Sequence, residues 1–207
     1  MPLTAVNAMA APATQPNVLR ARLLCEQLGQ SQLLAPILLQ QFFMYWSVKN
    51  FANAKECAEQ LQALAVRTSD EIPRFLSGWT AGWLSCMSAN YIAARDYFEQ
   101  ALKLSDDTRR VLIKDFNTAV GFVGCTIFLG WSLWMLGYPE QARKRRAFLL
   151  DLLNEPPDAF ARGAGIVGEL FMSDFMRDNR RMLEAAESLI ALGRTNGMSA
   201  YLLKLDR

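Results

Sequence analysis

The groups that could do chemistry in this sequence are four cysteines, two adjacent carboxylate pairs, a run of four basic residues and a cluster of glycines. There is no histidine. That removes the commonest general base and metal ligand, and with them the Ser-His and Cys-His nucleophile pairs. Cys25, Cys57, Cys86 and Cys125 stand singly, with no Cys-x-x-Cys pair to hold zinc or cycle as a dithiol. Each lies among small or apolar residues at helical spacing, the setting of a reduced core cysteine in a cytoplasmic protein. Asp70-Glu71 and Asp106-Asp107 fall at expected helix starts, where carboxylates meet the positive end of the helix dipole. Neither pair has a nucleophile or base beside it. Arg143-Lys144-Arg145-Arg146 would spread around most of a helix circumference and is expected as a solvated helix start. Gly163-Ala164-Gly165-Ile166-Val167-Gly168 fits neither a phosphate loop nor a dinucleotide fingerprint. Its glycines are expected to thin one helix for close packing. The expectation is a protein without catalytic residues, metal or cofactor.

Charge narrows the partners. The chain carries 22 basic and 20 acidic residues, and neither half has the basic excess that phosphate-backbone binding needs. Nucleic acid is therefore not expected. Apolar residues make up 52% of the chain, too many for a disordered protein. Thr118 to Pro139 has no charge and is long enough to consider as a membrane span. It ends in a turn that recurs elsewhere in the chain, and both its flanks are basic, which gives no orientation signal. A buried helix, apolar all round, is the expected reading. The N-terminus has no basic region followed by an apolar stretch, so no secretory signal is expected.

The elements that would position these groups are helices, because no strand alternation runs for a useful length. A local pattern recurs four times: a polar or glycine residue, an aromatic or apolar one, then a small residue opening an amphipathic run. The copies are Asn50-Phe51-Ala52-Asn53-Ala54, Asn90-Tyr91-Ile92-Ala93-Ala94, Gly137-Tyr138-Pro139-Glu140-Gln141-Ala142 and, more weakly, Asp178-Asn179-Arg180-Arg181-Met182. With Phe51, Tyr91, Tyr138 and Asn179 taken as equivalent, the spacings are 40, 47 and 41 residues. Such a period predicts stacked helical hairpins. Helices are expected over 18–28, 33–48, 52–66, 72–87, 92–104, 116–136, 140–153, 159–176 and 180–192. Gly193 to Gly197 is expected to close the last, and 198–205 to open a fifth hairpin cut off by the end of the chain. Residues 1–16 are expected as a flexible lead to one domain over 17–207.

The segment Asn90-Tyr91-Ile92-Ala93-Ala94-Arg95-Asp96-Tyr97-Phe98-Glu99-Gln100-Ala101-Leu102 resembles the second helix of a tetratricopeptide repeat. Tyr91, Ala94, Phe98 and Ala101 stand at that family's aromatic and small positions. Leu24-Cys25-Glu26-Gln27-Leu28-Gly29, Trp131 to Ala142 and Ala186 to Leu192 extend the likeness. Together they resemble the C-terminal repeats of bacterial signalling proteins that join a class III adenylate/guanylate cyclase or a regulator module to an ATPase. The copies are degenerate: Ala58, Arg146 and Asn179 stand where aromatics belong. The chain also lacks a phosphate loop, so no cyclase or ATPase activity carries over.

The resemblance implies an all-α, right-handed superhelix of about four hairpins plus an N-terminal helix. It also implies a concave groove lined by the first helix of each hairpin. Projected onto this chain, the lining is Phe43, Trp46 and Ser47; Trp79, Trp83 and Met87; Thr126, Gly130 and Trp134; and Val167, Phe171 and Asp174. The implied function is a non-catalytic scaffold that binds a peptide, a partner helix or a small apolar ligand in an aromatic groove. The same resemblance allows a detached sensor piece of a cyclase- or ATPase-linked signalling protein.

Overall fold

The computed structural model describes residues 14–29, 31–114, 116–154 and 159–196, and within them every regular element is an α-helix. Among the described residues ten helices follow one another: α1 (Thr14–Gln27), α2 (Ser31–Ser47), α3 (Phe51–Arg67), α4 (Glu71–Met87), α5 (Tyr91–Ala101), α6 (Asp106–Lys114), α7 (Phe116–Met135), α8 (Pro139–Asn154), α9 (Ala159–Phe175) and α10 (Asn179–Asn196). The segment expected to open a fifth hairpin lies outside the described residues. Helix α1 starts at Thr14, inside the expected lead, with Pro16 in its first turn where the missing N–H is harmless. Gly193 is buried within α10, which runs on to Asn196.

Between the helices expected over 92–104 and 116–136 lies α6. Ser105 Oγ accepts from the Thr108 N–H at 3.2 Å, and the Glu71 carboxylate accepts from the Ser105 hydroxyl at 2.7 Å. Hydrogen bonds from the Thr108 side chain and from the side chain and backbone of Ser105 hold the Glu71 carboxyl below its ordinary range.

The recurring pattern forms four alike turns. Lys49, Ala89, Gly137 and Arg177 each take the left-handed conformation, with φ of 60°, 58°, 81° and 54°. In each turn that residue's N–H bonds back three residues, and the next N–H bonds back five, as from Asn90 to Ser85 O at 2.9 Å. This double bond satisfies the free carbonyls at the end of the first helix. The following residue caps the second helix. Asn50, Asn90 and Asp178 each accept, through a side-chain oxygen, the N–H three residues on, all at 3.3 Å.

The turns correct the register. Tyr138 occupies the capping position of Asn50 and Asn90, and Pro139 the position of Phe51 and Tyr91. By their left-handed residues the copies lie 40, 48 and 40 residues apart, so the expected alignment slips by one in the third hairpin.

Each helix from α1 to α5 packs on the next, as do α7 to α10, while α5 and α6 both pack on α7. The first helices α2, α4, α7 and α9 also touch in succession. Close approach comes from small residues at matched positions. Ala54, Ala94 and Ala142, each in the second turn of its helix, are fully buried. A Cβ on Gly82 would lie 2.3 Å from the Phe98 ring, and one on Gly168 would lie 2.2 Å from Ile127. The expected thinning role is met at Gly168. Among the described residues no helix is long and apolar enough to cross a membrane.

Candidate functional site

Aromatic side chains on the first helices join into one line. Phe42 of α2 stacks on Trp46, and Phe43 meets Trp83 of α4 edge-on at 5.5 Å between centroids. Trp83 meets Phe128 of α7 at 4.6 Å, Phe128 meets Trp131 at 5.5 Å, and Trp131 stacks on Phe175 of α9 at 5.1 Å. Trp79 lies beneath, within 6 Å of Phe43, Trp83, Phe98 and Phe128. Edge-on and offset pairs of this kind add about 0.5–1.5 kcal/mol each beyond their burial. The line crosses all four hairpins.

The projected lining divides into buried and accessible members. Trp79 and Thr126 are 3% and 1% exposed, and Gly130 is also buried. They cannot line an accessible groove. Trp79 lies against α7 because Gly124 leaves room there: a Cβ would sit 2.6 Å from its ring. Thr126 turns its hydroxyl back to Phe122 O at 3.0 Å. Phe43, Trp46, Trp83, Trp134 and Val167 are half-buried, while Ser47, Met87, Phe171 and Asp174 are exposed.

The one-residue slip explains the misplaced third-hairpin members Thr126 and Gly130. In the observed register the third-hairpin equivalents of Trp79, Trp83 and Met87 are Ile127, Trp131 and Met135, and the last position in the fourth hairpin is Phe175. Trp131 and Phe175, with Phe128 beside them, belong to the aromatic line, and Met135 is 49% exposed. Gly137 was the signal that could have set the register, since glycine favours the left-handed position.

Several accessible positions on the first helices are apolar. Phe171 is 52% exposed and Met87 is 38% exposed, on the same helices as the half-buried Phe175 and Trp83. The indole N–H groups of Trp79, Trp83 and Trp131 are buried without a hydrogen-bond partner. These side chains offer ring faces and polarizable methionines, while Arg74, Arg162 and Asp174 are exposed charges on the same helices.

The basic run departs from expectation. Arg143 and Lys144 are exposed, but the Arg146 side chain is only 10% exposed. It stands at the position of Phe98 in the preceding hairpin. Its Nε donates to both Glu169 oxygens at 2.9 Å and its Nη2 to Ser173 Oγ at 2.8 Å, while Asp178 lies 3.5 Å from Nη1. A polar clasp thus joins α8 to α9 where an aromatic would otherwise pack. Hydrogen bonds to Glu169 push the guanidinium pKa further up.

Three of the cysteines, Cys57, Cys86 and Cys125, are buried and unpaired. Burial pushes the Cys57 and Cys86 thiols up to about 11 and raises Cys125 as well. Among the described residues no cluster of carboxylates and cysteines could hold a metal ion. No protein-family model matches this chain, and no curated protein is similar to it.

Proposed function

We propose that this protein is a non-catalytic interaction scaffold, a tetratricopeptide-like right-handed superhelix that binds an apolar peptide or helix along its first helices. The observation that carries the reading is the aromatic line with its accessible edge of Met87, Met135, Phe171 and the half-buried rings beside them. A surface so apolar, crossing several elements, is characteristic of a binding site. Support for the superhelix comes from four turns of one geometry and from first helices that touch in succession. The occupant inserts apolar side chains at intervals set by the hairpins, as an amphipathic segment does in a groove.

Selection of peptides from a displayed random library on the purified chain tests the reading. Selected peptides should carry aromatic or large aliphatic anchors. They should bind Phe171→Asp and Met135→Asp at least about tenfold more weakly, the loss of one interface anchor. Peptides without apolar anchors, or indifferent to both substitutions, would refute it.

A further inference from the structure

A second surface lies away from the aromatic line, where α8 meets the α9–α10 turn. Arg143 and Arg146 of α8 converge there with Arg177 of the turn and Arg181 of α10 around a depression of about 590 Å³. Among the described residues, the lining includes one carboxylate, Asp178. Ala147, Leu150 and Met176 add apolar side chains to the lining. The basic run does not scatter as its sequence implies, because its first and last members share this depression with arginines more than 30 positions further on.

The four guanidinium groups differ in how they are held. Arg146 is fixed by Glu169 and Ser173, so its charge is largely matched. Arg181 shares Asp178, at 3.7 Å. Arg143 reaches Glu140, one turn away and 79% exposed, and an exposed pair of this kind yields readily to a competing anion. Arg177 is exposed and makes no ion pair among the described residues. Its backbone is left-handed, where an arginine costs about 1–2 kcal/mol relative to relaxed backbone. The matching turn of the third hairpin uses Gly137 there. The N-terminus of α10 adds the positive end of its dipole.

We infer that this depression docks an acidic peptide segment, with carboxylates on Arg143 and Arg177 and an apolar side chain on Leu150 and Met176. The inference rests on the reading of the chain as a protein-binding array and adds a charged contact to it. Apolar side chains set among arginines suit alternating acidic and aliphatic side chains better than a bare phosphate. Guanidinium forks pair with carboxylates through two parallel bonds, which gives direction as well as attraction.

The test uses a fluorescein-labelled peptide of alternating glutamate and leucine, with fluorescence anisotropy as readout. It should bind the full chain and weaken as salt is added. The double variant Arg143→Gln/Arg177→Gln should bind at least about tenfold more weakly, at an unchanged circular dichroism spectrum. The same peptide with glutamine in place of glutamate should bind no better to the wild type than to that variant. Absence of binding, equal binding by the variant, or tighter binding of labelled oligothymidylate would each overturn the inference. The aromatic reading is decided separately: Phe171→Asp should leave the acidic peptide's affinity unchanged while weakening the selected apolar peptides.

Discussion

Replacing Arg146 by methionine removes the cation from a nearly buried clasp and leaves Glu169 behind. The Glu169 side chain is 8% exposed, and its remaining neighbour is Ser173 Oγ at 3.5 Å. A buried carboxylate stripped of its partner costs about 3–5 kcal/mol. Methionine matches much of the arginine stem, so little of that loss comes from packing. Total stabilities of about 5–15 kcal/mol make this a large fraction. In urea, with slopes of about 1–3 kcal/mol per M, the midpoint should fall by at least about 1 M. The double variant Arg146→Phe/Glu169→Leu should return to wild-type stability or exceed it by about 1–4 kcal/mol, because an apolar pair avoids the desolvation of two charges. Urea unfolding followed by both circular dichroism and tryptophan fluorescence supplies the numbers and checks that the two probes coincide. Arg146→Met within about 0.5 kcal/mol of wild type would mean that the pair behaves as an exposed one, and the clasp argument would fail.

Further outcomes follow from the packing. Gly82→Ala should destabilise by about 1–3 kcal/mol in urea unfolding, since the new methyl meets the Phe98 ring and overpacking exceeds the gain in helix propensity. Ala89→Gly should raise stability by about 1 kcal/mol, because Ala89 holds φ of 58°; an unchanged midpoint would place no strain in that turn. Trp83→Ala should cost about 3–5 kcal/mol, because this half-buried ring packs on the core with rings of Phe43, Trp46, Trp79 and Phe128 within 6 Å. The exposed Phe171→Ala should cost under about 1 kcal/mol, and equal losses at the two sites would contradict the division into core and accessible edge. The thiols of Cys57 and Cys86 titrate near 11 when folded and near 9.0 when free, so the unfolded chain loses these protons first. Their contribution is complete below pH 9 and is lost as pH rises toward 11, and Cys57→Ala/Cys86→Ala should flatten that fall in stability.

The fold was legible where its signals are local. Asn50, Asn90 and Asp178 announce helix starts because each caps with its own side chain, and Ala54, Ala94 and Ala142 announce close contacts because nothing larger fits. Register failed where an aromatic outweighed backbone chemistry: Tyr138 looks like Tyr91, yet Gly137 fixes the turn one residue later than that likeness implies. The site was legible in composition and less so in placement. Trp79 and Trp83 are four residues apart on one helix, and only the arrival of α7, thinned at Gly124, decides that Trp79 is buried and Trp83 half-exposed. Arg146 hid its role for the same reason, since Glu169 is 23 positions away and no local pattern pairs them.

The most direct test places a photo-crosslinking benzoylphenylalanine at Phe171 or, separately, at Leu183, and irradiates each with a display-selected peptide. The two residues are comparably accessible, at 52% and 61%, but Phe171 is on the first helix of the last hairpin and Leu183 on the second. A binding surface along the first helices predicts a covalent adduct from position 171 and little from 183. Equal adducts from both, or an adduct from 183 alone, would contradict it.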